Sequence, residues 1–96
     1  MSRVTEAEVA EAVIKVLTDR ATGRATIKEL IEEIPNYLTL SAEDLAPSPT
    51  RPGEALWEQQ VRNITSHKGS PGNAIYEGKL VSIPSGLALP GRKVAA

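Results

Sequence analysis

The stretch EALWEQQVRNITSHKGSPGNAIYEGKLVSIPSGLAL, residues 54–89, decides the fold because its hydrophobic period changes part-way along. Four apolar residues recur at helical spacing and fall within one sector of a helical wheel: Leu56, Trp57, Val61 and Ile64. Residues 79–89 instead contain two short strand-like runs about a Pro-Ser-Gly turn. Such a pattern is typical of a β-hairpin. The stretch therefore predicts a helix followed by a hairpin.

The helix of this stretch, called here the polar-faced helix, is expected to begin near Gly53, just after Pro52. We expect it to end by residues 68–69, because a glycine there favours termination. Pro71 then permits a short new helical turn over residues 73–77.

Capping boxes predict the helices of the first half, since Ser or Thr with an acidic residue three positions later satisfies free backbone N–H groups. Three such pairs occur: Thr5 with Glu8, Thr26 with Glu29, and Ser41 with Asp44. They predict helices over residues 6–19 and 27–33 and a single helical turn after Ser41. Residues 24–26 are expected to form a very short strand. Pro35 should end the second helix and disfavour helical geometry at Ile34.

The predicted order is helix, short strand, helix, helix and hairpin, which is the order of a winged helix. The fold class is therefore α+β: a winged helix-turn-helix of three helices with a small C-terminal β-hairpin wing. A length of 96 residues predicts one domain spanning residues 1–96. In a winged helix, the helix before the hairpin enters the DNA major groove.

The polar-faced helix carries side chains suited to reading base edges. Gln59, Arg62 and Ser66 lie at i, i+3 and i+7 on the side opposite the apolar sector, and Asn63 flanks them. Arginine can meet O6 and N7 of guanine with two hydrogen bonds, and glutamine or asparagine can do the same with adenine. Serine can bond a base edge or a phosphate. The alternative is an ordinary solvated helix face.

The charge distribution favours an anionic partner for the second half. Residues 1–50 carry five Lys and Arg against nine Asp and Glu, a net charge of −4. Residues 51–96 carry six against three, a net charge of +3. Basic side chains bind DNA through its phosphates. The expected phosphate partners are Arg51, Lys68, Lys79, Arg92 and Lys93.

Two residues of the polar-faced helix have competing interpretations. Trp57 is the chain's only tryptophan, and on an apolar face it is expected in the core, with stacking on a base as the alternative. His67 is the only histidine. We expect it to be hydrogen-bonded at the helix C-terminus rather than to act as a ligand or base.

Several motifs resemble the winged-helix domains attached to bacterial restriction endonucleases. They are LSAED, RPGE, W-x4-R-N-x2-S-H, G-N-x3-E-G and IPSGLALPGR, within residues 26–92. The family includes the N-terminal domain of the Mrr type and the reader domains of adenine-methylation-dependent enzymes. The resemblance implies DNA reading, and it marks these positions as DNA-facing or site-shaping: Trp57, Arg62, Asn63, Ser66, His67, Gly72 and Asn73.

The chain departs from that family in two ways. The family often ends its wing with Leu-Thr or Ile-Thr before the final glycine, whereas this chain has LALPGR. No PD-(D/E)xK or HNH nuclease pattern occurs in the sequence. The resemblance therefore leaves three alternatives: a free-standing reader, a regulator, or a fragment of a larger enzyme.

The composition argues against catalysis. There is no cysteine, and one histidine cannot build a zinc site without several carboxylates. Ser66 and His67 are neighbours on a helix, so their side chains diverge by about 100° and form no nucleophile–base pair. We therefore expect no enzyme activity, cofactor or metal.

The predicted partner is double-stranded DNA, together with either a nuclease partner or a homodimer. The rival function is a protein-docking or dimerisation module, with the apolar stripe of the first helix as a dimer seam. No apolar run is long enough to span a bilayer, and residues 1–20 are too charged for a signal peptide. These features predict a cytoplasmic protein, associated with the nucleoid when bound to DNA, and the resemblance implies that it is bacterial.

Overall fold

The computed structural model describes residues 3–90 and has an α+β architecture with a small three-stranded antiparallel sheet. The elements follow in this order: α1 (Glu6–Asp19), β1 (Arg24–Thr26), α2 (Ile27–Glu33), a 3-10 turn (Ile34–Asn36), α3 (Ala42–Leu45), α4 (Leu56–Ser66), β2 (Val81–Ile83) and β3 (Gly86–Ala88). The polar-faced helix is α4. The predicted bounds of α1, β1 and α2 are confirmed.

All three predicted capping boxes are present. At α1, the Thr5 hydroxyl accepts from the N–H of Glu8, and the Glu8 carboxylate accepts from the N–H of Thr5 at 2.9 Å. The same reciprocal bonds begin α2 and α3. The backbone N–H of Thr26 lowers the pKa of the Glu29 carboxyl, and Arg20 adds to the effect. Local hydrogen bonds thus set where these helices begin.

The expectation of non-helical geometry at Ile34 is wrong. Ile34 has φ −53° and ψ −39°, and the chain continues as a 3-10 turn through Pro35. Ile34 is fully buried. Burial of an isoleucine contributes about 1.5–3 kcal/mol, which outweighs the modest preference of a residue before proline for extended geometry.

The hairpin forms as predicted, and β1 completes its sheet. β3 lies in the centre and pairs with both β1 and β2, so that Leu87 faces Ala25 on one side and Ser82 on the other. A Cβ at Gly86 would lie 2.1 Å from the carbonyl oxygen of Ala25, so only glycine permits this approach. The N–H of Ile27 donates to the Ser85 carbonyl at 2.8 Å. The hairpin turn is therefore attached to the start of α2.

The predicted start of α4 near Gly53 is wrong by three residues. Gly53 has a φ of +87°, which is not helical, and α4 begins at Leu56 with Ala55 as its N-cap. An isolated β-bridge joins Pro47 to Ala55, and the N–H of Leu56 donates to the Ala46 carbonyl. These contacts keep the chain extended until the helix begins.

The helical turn expected over residues 73–77 forms as a single turn, in which the N–H of Glu77 donates to the Asn73 carbonyl at 2.8 Å, and it does not extend into a longer helix. The Asn73 side-chain oxygen accepts from the N–H groups of Ile75 and Tyr76 at 2.8 and 3.0 Å. Such side-chain bonds satisfy backbone donors that a helix would leave free at its first turn.

The core is an aliphatic cluster in which α1 supplies the largest share. The buried residues of α1 are Val9, Ala10, Ala12, Val13, Val16 and Leu17. This stripe packs inside the chain, so it cannot form the dimer seam considered above. Within residues 3–90, no helix is both long enough and apolar enough to cross a bilayer.

Candidate functional site

An open groove lies where the start of α2, one side of α4 and the hairpin meet. Two adjoining cavities of about 540 and 270 Å³ form it, and both are lined by Ile27, Arg62 and Ser85. We call this surface the α4 groove. Its remaining lining residues are Thr26, Lys28, Ile31, Glu32, Arg51, Thr65, Ser66, Ser82, Ile83 and Gly86.

The α4 groove combines positive charge with hydroxyl groups. Among its lining residues, Lys28, Arg51 and Arg62 carry positive charge, and Glu32 carries negative charge. Five hydroxyl side chains also line it: Thr26, Thr65, Ser66, Ser82 and Ser85. Hydroxyls both donate and accept hydrogen bonds, whereas the cations attract anions. The surface is suited to a polar, negatively charged ligand.

Arg62 occupies the centre of the groove in an ion pair with Glu54. Its Nε donates to Oε2 of Glu54 at 2.7 Å, and its Nη2 lies 2.7 Å from the same oxygen. The Glu54 side chain is 16% exposed, and that of Arg62 is 40% exposed. The pair therefore has a sheltered anion and a cation whose outer end remains accessible.

The loop before α4 holds Glu54 in place through its backbone. The N–H of Ser48 donates to the Glu54 carbonyl at 2.8 Å, and the N–H of Glu54 donates to the Arg51 carbonyl at 3.1 Å. The buried Ser48 hydroxyl also accepts from the N–H of Arg51. In the described chain, the Glu54 Oε1 atom is buried without a hydrogen-bond partner. Glu54 is thus aimed at Arg62 by a folded loop.

The other residues of α4 that were predicted to contact base edges do not all lie in the groove. Ser66 is exposed and lines the α4 groove. Gln59 is half-buried, and its Nε2 donates to the Thr50 hydroxyl at 3.0 Å, which links α4 to the preceding loop. Asn63 donates instead to the Gln60 side chain at 3.2 Å. Asn63 therefore does not join the groove lining, although it was predicted to flank the same face.

His67 and Asn73 belong to a different cluster, centred on Glu6 of α1. The His67 Nδ1 lies 2.6 Å from Glu6 Oε1, and the Asn73 Nδ2 donates to Glu6 Oε2 at 2.9 Å. Asn73 also donates to the Ile64 carbonyl and is only 4% exposed. His67 caps the C-terminus of α4 as expected, but its ring pairs with a carboxylate of α1.

The segment before α1 is anchored by residues that are distant in sequence. The Val4 N–H donates to the Asp44 carboxylate at 2.9 Å, and the Val4 carbonyl accepts from Gln60. Burial of Asp44 opposes ionisation, but bonds from the Ser41 and Val4 N–H groups and the Ser41 hydroxyl, together with the Arg3 charge, lower its pKa overall. We call this set the α1 junction: Val4, Glu6, Asp44, Gln60, His67 and Asn73.

Four further predicted site residues lie outside the groove lining. Trp57 is 4% exposed, so its expected place in the core is confirmed and it cannot stack on a base from there.

Gly72, with a φ of +89°, and Lys79 line a small cavity against α1 together with Glu6 and Glu11. Lys68 is exposed just after α4. Arg92 and Lys93 lie outside the described residues.

Sequence reasoning missed several groove residues because they come from other elements. Thr26 and Lys28 were read only as parts of a helix start, and Ser82 and Ser85 only as parts of a hairpin. Their convergence depends on the pairing of β1 with β3. Glu54 was visible in the RPGE motif, but only the loop fold brings it to Arg62.

Comparisons with protein-family models, curated proteins and solved structures find no match to this chain. The resemblance to restriction-associated winged helices therefore stays a prediction from the sequence motifs.

Proposed function

We propose that the chain is a winged helix that binds double-stranded DNA, with α4 in the major groove and the β2–β3 hairpin as its wing. The element order and the sheet order β1-β3-β2 support this interpretation. α4 is the last helix before the hairpin, and its 11 residues are long enough to cross the major groove.

One observation carries the proposal. Arg51, Arg62 and Ser66, three residues expected to contact DNA, converge on one open groove with Ser82 and Ser85 of the hairpin. An arginine at the centre of a major-groove surface is suited to guanine, and the surrounding hydroxyls and cations are suited to phosphates. The groove thus provides both kinds of contact that a DNA reader needs.

The proposal includes a more specific element, which is that the domain senses adenine methylation. Its role would then be restriction-like or regulatory. This element rests on the motif resemblance, and the apolar lining of the groove supports it. Ile27, Ile31 and Ile83 line the same surface as Arg62. Apolar side chains favour contact with a methyl group in the major groove.

The protein-docking alternative has less support. A docking helix gains from exposed apolar anchors of its own, whereas α4 contributes only Arg62, Thr65 and Ser66 to the groove lining. The isoleucines of the groove come from α2 and β2. The large apolar side chains that are exposed among residues 3–90 lie elsewhere, at Leu45, Tyr76 and Val81. Isolated exposed apolar residues are common on protein surfaces.

Fluorescence anisotropy with randomised duplex pools, unmethylated and adenine-methylated, tests the proposal at about 50 and 200 mM salt. Arg62→Ala should cost about 1–3 kcal/mol of binding free energy. Lys15→Ala is the matched control, because it removes the same charge from the exposed face of α1. It should bind nearly as tightly as the wild type.

Arg62→Ala also leaves the sheltered Glu54 carboxylate without its partner, so melting must be measured in parallel. The double variant Arg62→Ala with Glu54→Gln removes the pair without leaving that charge. The proposal requires this double variant to fold and to bind weakly. Absence of wild-type binding to both pools at low salt would contradict it.

A further inference from the structure

We propose that Glu54 determines specificity: it converts Arg62 from a general phosphate-binding cation into a donor that reads guanine. This inference rests on the proposed DNA-binding function and extends it to a residue with no predicted role in binding. It follows from the geometry of the Arg62–Glu54 pair, the charge of that pair and the loop that holds Glu54.

The first step is geometric. The Nε and Nη2 atoms of Arg62 both lie 2.7 Å from Glu54 Oε2, so this edge of the guanidinium is occupied. Of its five N–H donors, those on Nη1 and the outer one on Nη2 remain. These terminal donors have the spacing that meets guanine O6 and N7 together. Glu54 therefore restricts Arg62 to an end-on approach.

The second step is electrostatic. An unpaired guanidinium attracts every phosphate on the duplex, and this attraction carries no sequence information. When Arg62 is paired with Glu54, the net charge of the two side chains is zero, and a phosphate that approaches is also repelled by the carboxylate. A neutral base edge meets much less repulsion. The pair thus weakens phosphate binding more than it weakens bonding to guanine.

The third step is that Glu54 is preorganised. Its backbone N–H and carbonyl are bonded within the loop around Ser48 and Arg51, and its side chain is sheltered from solvent. Ordering this carboxylate therefore costs little when DNA binds. Glu32 lines the same groove but differs from Glu54 in two ways. Its side chain is exposed, and Arg62 forms its ion pair with Glu54 rather than with Glu32.

The test enriches a randomised duplex pool on the immobilised chain of residues 1–96 and sequences the bound molecules. The wild type should enrich guanine at a defined position by about tenfold, the value of one good bidentate contact. Glu54→Gln should make the four bases nearly equally frequent at that position. It should also tighten binding to the unselected pool. Its slope of log affinity against log salt should steepen by about 0.9, the effect of one additional phosphate contact.

Two variants separate position from charge. Glu32→Gln removes a negative charge from the same groove, so binding to the unselected pool should tighten, but it leaves the Arg62–Glu54 pair intact, so guanine enrichment should fall far less than in Glu54→Gln. Glu54→Asp keeps the charge but shortens the side chain, so enrichment should fall with little change in the salt slope. Thermal melting of each variant establishes that it is folded, and Glu54→Asp replaces Glu54→Gln if the latter does not fold.

The outcomes distinguish this inference from the proposed function. If the wild type binds no duplex at low salt, the proposed function fails and the inference fails with it. If the wild type enriches guanine and folded Glu54 variants enrich it equally, only the inference is overturned. Equal loss of enrichment in Glu32→Gln would also overturn it, because groove charge alone would then explain specificity.

Discussion

The α4 groove and the α1 junction both draw on polar residues that follow or line α4, yet the two regions differ in how those residues are used. In the groove, Ser66 is exposed and the outer end of Arg62 is accessible. In the junction, every polar atom of the Asn73 side chain is engaged by the protein itself. Polar side chains near α4 are therefore accessible in one region, whereas in the other they are engaged by hydrogen bonds within the fold.

The difference shows that a polar side chain indicates function only when its hydrogen bonds remain available. Asn73 and His67 matched the DNA-reader motif as well as Arg62 did. Their bonds to Glu6 join the start of α1 to the end of α4. Variants in the junction should therefore affect stability and leave DNA affinity unchanged, which separates the two regions experimentally.

Asn73→Ala should have the largest effect, with a loss of about 3 kcal/mol in the free energy of unfolding. The substitution leaves buried or sheltered groups at Ile64, Ile75 and Tyr76 without partners, and each such group costs about 1–3 kcal/mol if it stays dry. Urea denaturation measures the loss. A folded variant with normal stability but weakened DNA binding would contradict this structural role and indicate that Asn73 contacts DNA.

Asp44→Asn should lower the free energy of unfolding by about 1–2 kcal/mol at neutral pH, and this loss should become smaller in acid. The pKa of Asp44 in the folded protein is below its ordinary value of 3.8, so its ionised form stabilises the fold above that pH. This contribution is lost as the pH falls through the folded pKa. Denaturation midpoints of the two proteins should therefore approach each other as the pH falls below 3.8. Parallel curves would contradict the role assigned to the Asp44 carboxylate.

His67→Ala should have the smallest effect, within about 1 kcal/mol of the free energy of unfolding, because an exposed histidine–carboxylate contact contributes little. The His67 side chain is 51% exposed, and Asn73 still holds Glu6 when the ring is removed. Chemical denaturation combined with a DNA titration provides the measurement. A clear loss of DNA affinity at unchanged stability would show that the motif-based assignment of His67 to the DNA-facing set was right.

Features that depend on local contacts were predictable from the sequence. The Thr5, Thr26 and Ser41 caps each bond within three residues, so the helix starts follow from neighbouring side chains. The hairpin was predictable for a similar reason, since its turn lies between two short apolar runs. The burial of Trp57 followed from its position on an apolar face.

Features that depend on contacts beyond one helical turn in sequence were not predictable. The start of α4 depends on the bridge between Pro47 and Ala55, and β1 finds its partner more than 60 residues later in β3. The Glu54–Arg62 pair and the Glu6–Asn73 bond likewise require the folded chain. Hydrophobic period and capping patterns contain no information about such pairings.

The sheet order has a consequence for synthesis of the chain. β3 is the central strand, but residues 86–88 follow β1 and β2 in the sequence. On the ribosome, β1 and β2 therefore emerge before the strand that joins them, and long-range pairing of this kind forms late. The helices can begin to associate during translation, whereas the groove between α4 and the hairpin is completed only after β3 has emerged.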